Sequence, residues 1–176
     1  MESTNKYRSN ISSKTRTLVS AALLATLVCI TTAYFLHIPV GNGGYVHIGD
    51  TFIYLAAVLL PTPYAAMSAA IGAGLADILT GSANWVIATI IIKPIMVLFF
   101  TSKSTKIING RNVFAAIIAG IVGTFLYMIA TGIMYGFVGA FVLSLIGLIQ
   151  PIGSFIVFII IGLVFDKFKI KEMMKK

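Results

Sequence analysis

Asp50, Asp77 and Lys93 lie inside or at the edge of long apolar stretches, and an ionisable group in such a setting marks an ion path, a ligand contact or a buried pair. Lys93 can satisfy its ammonium in two ways, by pairing with Asp77 or by touching a ligand directly. Asp50 follows Gly49 and opens an apolar run, which is the position of an N-cap whose carboxylate accepts the first free helical N–H groups. His47 and Tyr45 stand in a glycine-rich stretch that could close over a planar ligand. Asn84 and Trp85 open another apolar run, where a tryptophan serves as an interfacial anchor or as a stacking surface. Gln150, just before Pro151, is an amide inside an apolar run and needs hydrogen-bond partners there. Tyr127 and Tyr135 are candidates for aromatic walls.

The absent chemistries narrow the function further. There is no G-x-x-x-x-G-K-[ST] phosphate loop, no G-x-S-x-G elbow and no H-E-x-x-H pair. His37 and His47 are the two histidines, and no carboxylate lies at metal-ligand spacing from either. No catalytic residue, metal ligand set or cofactor is therefore assigned, and an enzyme is the least supported class. Cys29 is a lone thiol in a hydrophobic run, without a disulfide framework around it.

The elements that must position these groups are membrane helices. Of 176 residues, 59% are hydrophobic and 10% charged, with a mean hydropathy of +1.00; soluble domains carry roughly 25% charged residues. Apolar runs and their breakers predict one all-α, polytopic membrane domain over 1–176, a compact bundle of six transmembrane helices near 17–37, 49–60, 63–80, 84–101, 112–136 and 143–166. The second is short, about 18 Å against a hydrocarbon core of about 30 Å. If it failed to cross, the basic N-terminal flank (Lys6, Arg8, Lys14, Arg16) would lie opposite both the central cluster (Lys103, Lys106, Arg111) and the basic tail from Lys167. Six crossings put them all on one side, so the positive-inside rule makes both termini cytoplasmic. The loops at 37–49, 80–84 and 136–143 then face outward. The net charge of +8 is thereby read as membrane topology, with no nucleic-acid partner.

Small residues add a packing signal: Ala21 and Ala25, four apart on the first helix, form a strip that another helix can approach closely. The pairs Gly72/Ala76 and Gly132/Gly136 repeat the spacing.

The stretch HIGDTFIYLAAVLLPTPYAAMSAAIGAGLADILTG at 47–81, with Trp85 and TIIIKPIM at 89–96, resembles the substrate-binding S component of energy-coupling factor vitamin transporters, in the riboflavin-type and related branch. The resemblance extends over roughly 15–168. It implies a multi-pass protein of a prokaryotic cell membrane that takes a vitamin or precursor from outside. It also implies docking on a transmembrane T subunit that carries two ABC ATPases, with Ala21 and Ala25 as the docking residues. The ligand would lie toward the outer side, between helices four to six and under the loop joining helices one and two. His47, Asp77, Asn84, Trp85, Lys93 and Gln150 are the substrate-binding candidates by position and chemistry. Few aromatic residues fall in the outer halves of the last three helices, which points to a small heterocycle such as hydroxymethylpyrimidine or pyridoxine ahead of riboflavin. Two other classes remain open: a stand-alone facilitator or proton-coupled carrier using Asp77 and Lys93 as its coupling pair, and a ligand-free structural subunit.

Overall fold

Proline and glycine set the boundaries of a helical architecture whose short central helix is enclosed by longer ones. The computed structural model describes residues 2–35, 37–39 and 45–174, with side chains from residue 13 onward. Leu36, the glycine-rich stretch 40–44 and the terminal Met1, Lys175 and Lys176 lie outside the described residues. In chain order the elements are α1 (Glu2–Ala33), β1 (Ile38–Pro39), β2 (Tyr45–Val46), α2 (Asp50–Leu59), α3 (Thr62–Leu79), a single 3-10 turn (Ala83–Trp85), α4 (Val86–Val97), α5 (Gly110–Tyr135), α6 (Phe137–Gly147), α7 (Ile149–Lys167) and α8 (Ile170–Met173). The two strands pair antiparallel, Ile38 opposite Val46 and Pro39 opposite Tyr45.

Helix α2 stops where it does because Leu60 precedes Pro61 and is driven to extended backbone (φ −104°, ψ 157°). Helix α3 starts at once, with Pro63 in its first turn, where a missing N–H breaks no helical bond. Its buried face is built of Ala65, Ser68, Ala69, Gly72, Ala73 and Ala76. Such small side chains let α1 approach so closely that a Cβ on Gly72 would stand 2.4 Å from the Ala25 carbonyl oxygen. Ser68 Oγ donates to the Ala21 carbonyl at 2.8 Å. Ala21 and Ala25 are both buried in this α1–α3 seam, so the strip expected to dock a partner is occupied by the protein's own third helix.

Helices α1, α3, α4 and α5 pack in sequence, α5 also meets α6 and α7, and α2 touches α1, α3, α4 and α7. Eight of the ten α2 residues are buried, which is why this helix is apolar all round rather than amphipathic. Tyr54 of α2 sits at the centre of the core, with Phe100 and Phe158 rings 5.1 and 5.7 Å away. Large apolar side chains such as Leu23, Ile71, Ile87, Phe114, Ile121 and Ile156 point outward, the arrangement of a bundle whose solvent is lipid.

Among the described residues three helical stretches are long and apolar enough to cross a membrane: Ser13–Ala33, Gly110–Tyr135 and Phe137–Lys167. Asp50–Leu59 and Ala83–Val97 are shorter apolar helices; at 1.5 Å per residue α2 covers only about 15 Å. The loop expected over 136–143 is instead largely helical. The break is confined to Gly136, whose φ of 98° is open to glycine and strained for other residues. Chain direction changes there, and α6 begins immediately. Between α6 and α7 the interruption is one residue, Leu148, which keeps helical dihedrals. Pro151, four residues after Gly147, has no N–H to donate to that carbonyl, and its ring crowds the turn before it.

On the face with the basic central cluster, Asp166 of α7 clamps the connection before α5. Its two carboxylate oxygens accept from Ile107 N at 2.7 Å and Ile108 N at 2.9 Å. Asn109 caps α5 by accepting from Asn112 N at 3.0 Å. The buried Asn112 side chain accepts from Thr101 N and donates to the Thr101 and Ile107 carbonyls.

Candidate functional site

Pro94 in α4 and Pro151 in α7 directly follow the two polar side chains that enter the bundle, Lys93 and Gln150. Both meet Asp50. Lys93 Nζ lies 2.5 Å from Asp50 Oδ1, each side chain 2% exposed, and Gln150 Nε2 donates to Asp50 Oδ2 at 2.8 Å. The α2 N-cap is Gly49, so the Asp50 carboxylate makes no cap bond; it ties α2 to α4 and α7. Two readings are thereby corrected. Asp50 is the ion-pair partner rather than a cap, and Lys93 pairs with it rather than with Asp77. The first-turn position explains the difference, since a residue one step inside α2 projects across the bundle instead of back over the helix end.

Lys93 Nζ also lies 5.1 Å from the centre of the Tyr127 ring, within cation–π range. The Tyr127 hydroxyl donates to Thr89 Oγ1 at 2.9 Å. Trp85 stands beside the same tyrosine, ring centres 6.1 Å apart, with Tyr135 at 6.0 Å on another side. The Trp85 and Tyr127 rings, together with Asp50, Asp77, Lys93, Gln150 and His47, line a cavity of about 130 Å3. Ala73 of α3, Gly120 and Gly123 of α5 and Leu143 and Ser144 of α6 also contribute to its wall.

The strand pair covers the cavity beside its aromatic walls. Tyr45 OH donates to Asp77 Oδ1 at 2.6 Å, His37 stacks on Tyr45 at 4.1 Å, and the His47 ring follows at 5.4 Å. Burial, and then the Asp77 charge, push the Tyr45 hydroxyl up from its ordinary range, so it stays a donor. His47 Nδ1 accepts from Gly49 N at 2.9 Å, leaving Nε2 as the protonated nitrogen of a neutral ring. Desolvation by burial pulls this imidazole down to about 3, with Lys93 adding to the effect and Asp50 opposing it.

Five of the six candidate residues, His47, Asp77, Trp85, Lys93 and Gln150, line this one cavity. Asn84 stands outside it, exposed, donating to the Tyr135 hydroxyl that abuts Trp85. Tyr127 is part of the wall, whereas Tyr135 lies outside it and packs beside Trp85. Asp50 and Tyr45 have larger parts in the site than their sequence positions suggested. Thr32, Thr89, Thr124 and Thr131 in the lining carry no signal in the sequence, because a threonine in a membrane helix ordinarily bonds its own backbone. Thr124 and Thr131 do so, to Gly120 and Tyr127.

Such a site holds a buried ion pair, neutral donors and acceptors, and aromatic faces, a set suited to binding a polar planar molecule within the apolar bundle. A family model described as ECF-type riboflavin transporter, S component, matches residues 12–169. A protein of Pyrococcus woesei described as an uncharacterized protein in gap 3'region is 28% identical over 130 residues, covering 72% of this chain and 86% of that one. No solved structure matches significantly. With the match running nearly end to end and a polar cavity enclosed by apolar helices, the chain belongs to the family of S components of ECF-type transporters, the substrate-binding membrane subunits of vitamin uptake systems.

Proposed function

We propose that this protein binds a single-ring vitamin or vitamin precursor, of the hydroxymethylpyrimidine or pyridoxine kind, and delivers it to an ECF module made of a T subunit and two ABC ATPases. The observation that carries the reading is the cavity: about 130 Å3, walled by Trp85 and Tyr127. A dry engineered cavity of about 150 Å3 accommodates benzene, so a space of this size matches one ring. The chain would sit in a prokaryotic cell membrane with six crossings and both termini cytoplasmic, α2 serving as the short second crossing and α6–α7 as the last. The outer loop with β1 and β2 would then lie over the ligand, and Asp166 would hold the cytoplasmic end. ATP hydrolysis would come from the partner subunits.

Riboflavin is the second reading, favoured by the description of the matching family. Its three-ring system is larger than a cavity of about 130 Å3. Titration of the purified protein with hydroxymethylpyrimidine, pyridoxine and riboflavin separates the two. Saturable binding of a single-ring compound and not the flavin is expected; tight binding of riboflavin alone would assign the flavin.

A further inference from the structure

Among the described residues the cavity lining holds two buried polar atoms without a hydrogen-bond partner, Asp77 Oδ2 and Thr32 Oγ1. The carboxylate is the more telling. Asp77 is 4% exposed; its Oδ1 is taken by Tyr45, and Thr89 stands beside it without reaching hydrogen-bond geometry to Oδ2. The charge balance of the lining points the same way. Asp50 and Lys93 neutralise each other, His47 is neutral, and Asp77 is left as a second carboxylate with no cation in contact. A buried carboxylate oxygen with nothing donating to it is costly. A ligand with a donor group at that point removes the cost, and one with a negative charge there adds to it.

Resting on the binding-subunit reading above, we propose that Asp77 Oδ2 is the acceptor that selects the substrate. The ligand is a ring compound that presents an exocyclic amino group, neutral or cationic, to this oxygen, and anionic rings are excluded. Tyr45 holds the carboxylate in orientation through Oδ1, and Trp85 and Tyr127 supply the faces for the ring. Specificity of this kind is strong because the wrong ligand leaves a buried group unpaired, not merely a gap unfilled.

Trp85 is the one tryptophan of the chain, and it lines the cavity, so intrinsic fluorescence reads occupancy directly. The full chain in lipid nanodiscs is titrated with 4-amino-5-hydroxymethyl-2-methylpyrimidine, with its analogue in which oxygen replaces the amino group, with nicotinate and with riboflavin. The amino compound is expected to bind at least about tenfold more tightly than the oxo analogue, with nicotinate not binding. Asp77→Asn retains an oxygen for Tyr45 and turns Oδ2 into a donor; it should reverse the preference, gaining affinity for the oxo analogue, an outcome that misfolding cannot produce. Equal affinity of the wild-type protein for the amino and oxo compounds, tight nicotinate binding, or riboflavin as the only ligand would overturn the role of Asp77 and leave the binding subunit intact. An Asp77→Asn protein that binds the amino compound as tightly as wild type would do the same. Should Asp77→Asn not fold, the wild-type comparison decides alone. No binding of any of the four compounds would overturn both the selection and the binding-subunit reading.

Discussion

Lys93 and Asp50 form a contact of 2.5 Å between two side chains that are each 2% exposed, joining α4 to the short helix at the centre of the bundle. Gln150 occupies the other carboxylate oxygen, so three helices converge on one acid. Removing one member of such a pair leaves a buried charge uncompensated, at about 3–5 kcal/mol. Lys93→Met and Asp50→Asn should therefore each lower the unfolding temperature in detergent markedly. The double variant should be less destabilised than the sum of the two. Strict additivity in that cycle would show that the pair does not contribute as a unit.

The neutral state of His47 makes stability pH-dependent. Its ordinary value is 6.5 and it is pulled down to about 3 in the fold, so between these values the unfolded chain binds a proton that the folded one refuses. Stability is fully present above pH 6.5 and declines as pH falls through that window, by about 1.4 kcal/mol per unit at most. Thermal unfolding near pH 5 should occur at a lower temperature than near pH 7, and His47→Gln should flatten the difference. An unchanged slope in that variant would place the titrating group elsewhere.

Close packing of α1 on α3 makes a third expectation. A methyl group on Gly72 would fall 2.4 Å from the Ala25 carbonyl oxygen and 2.8 Å from Val28 Cβ, so Gly72→Ala must push two backbones apart and should cost about 1–3 kcal/mol. Gly139, by contrast, has nothing within 4 Å of a Cβ, and Gly139→Ala should be neutral or slightly stabilising. Comparing the two by thermal unfolding isolates the steric effect, and equal losses would remove it.

Much of this was legible in residue type and spacing. Apolar runs, their breakers and the basic clusters lead to an all-α membrane bundle, and polar residues in or beside those runs lead to five cavity-lining side chains. What was not legible depended on depth and direction. Asp50 reads as a cap, because a carboxylate after glycine at the head of an apolar run ordinarily is one; only the burial of α2 on every side sends it inward to Lys93. Ala21 and Ala25 read as a docking strip, yet the same small-residue pattern serves equally to admit α3, and spacing does not say which helix arrives. The stretch 136–143, with Gly136 and Gly139, reads as a loop. Glycine is common within membrane helices, and of the two only Gly136 has a backbone that requires it. Asp166 carries no signal in the sequence, because its partners are two backbone amides nearly sixty residues away.

On the proposed function, the cavity between Trp85, Tyr127, Asp77 and the Asp50–Lys93 pair binds a small heterocycle. The most direct test is native mass spectrometry of the protein released gently from the expressing membrane. A retained single-ring compound is expected, displaced by added hydroxymethylpyrimidine or pyridoxine. A bare protein that takes up neither of these nor riboflavin would contradict it.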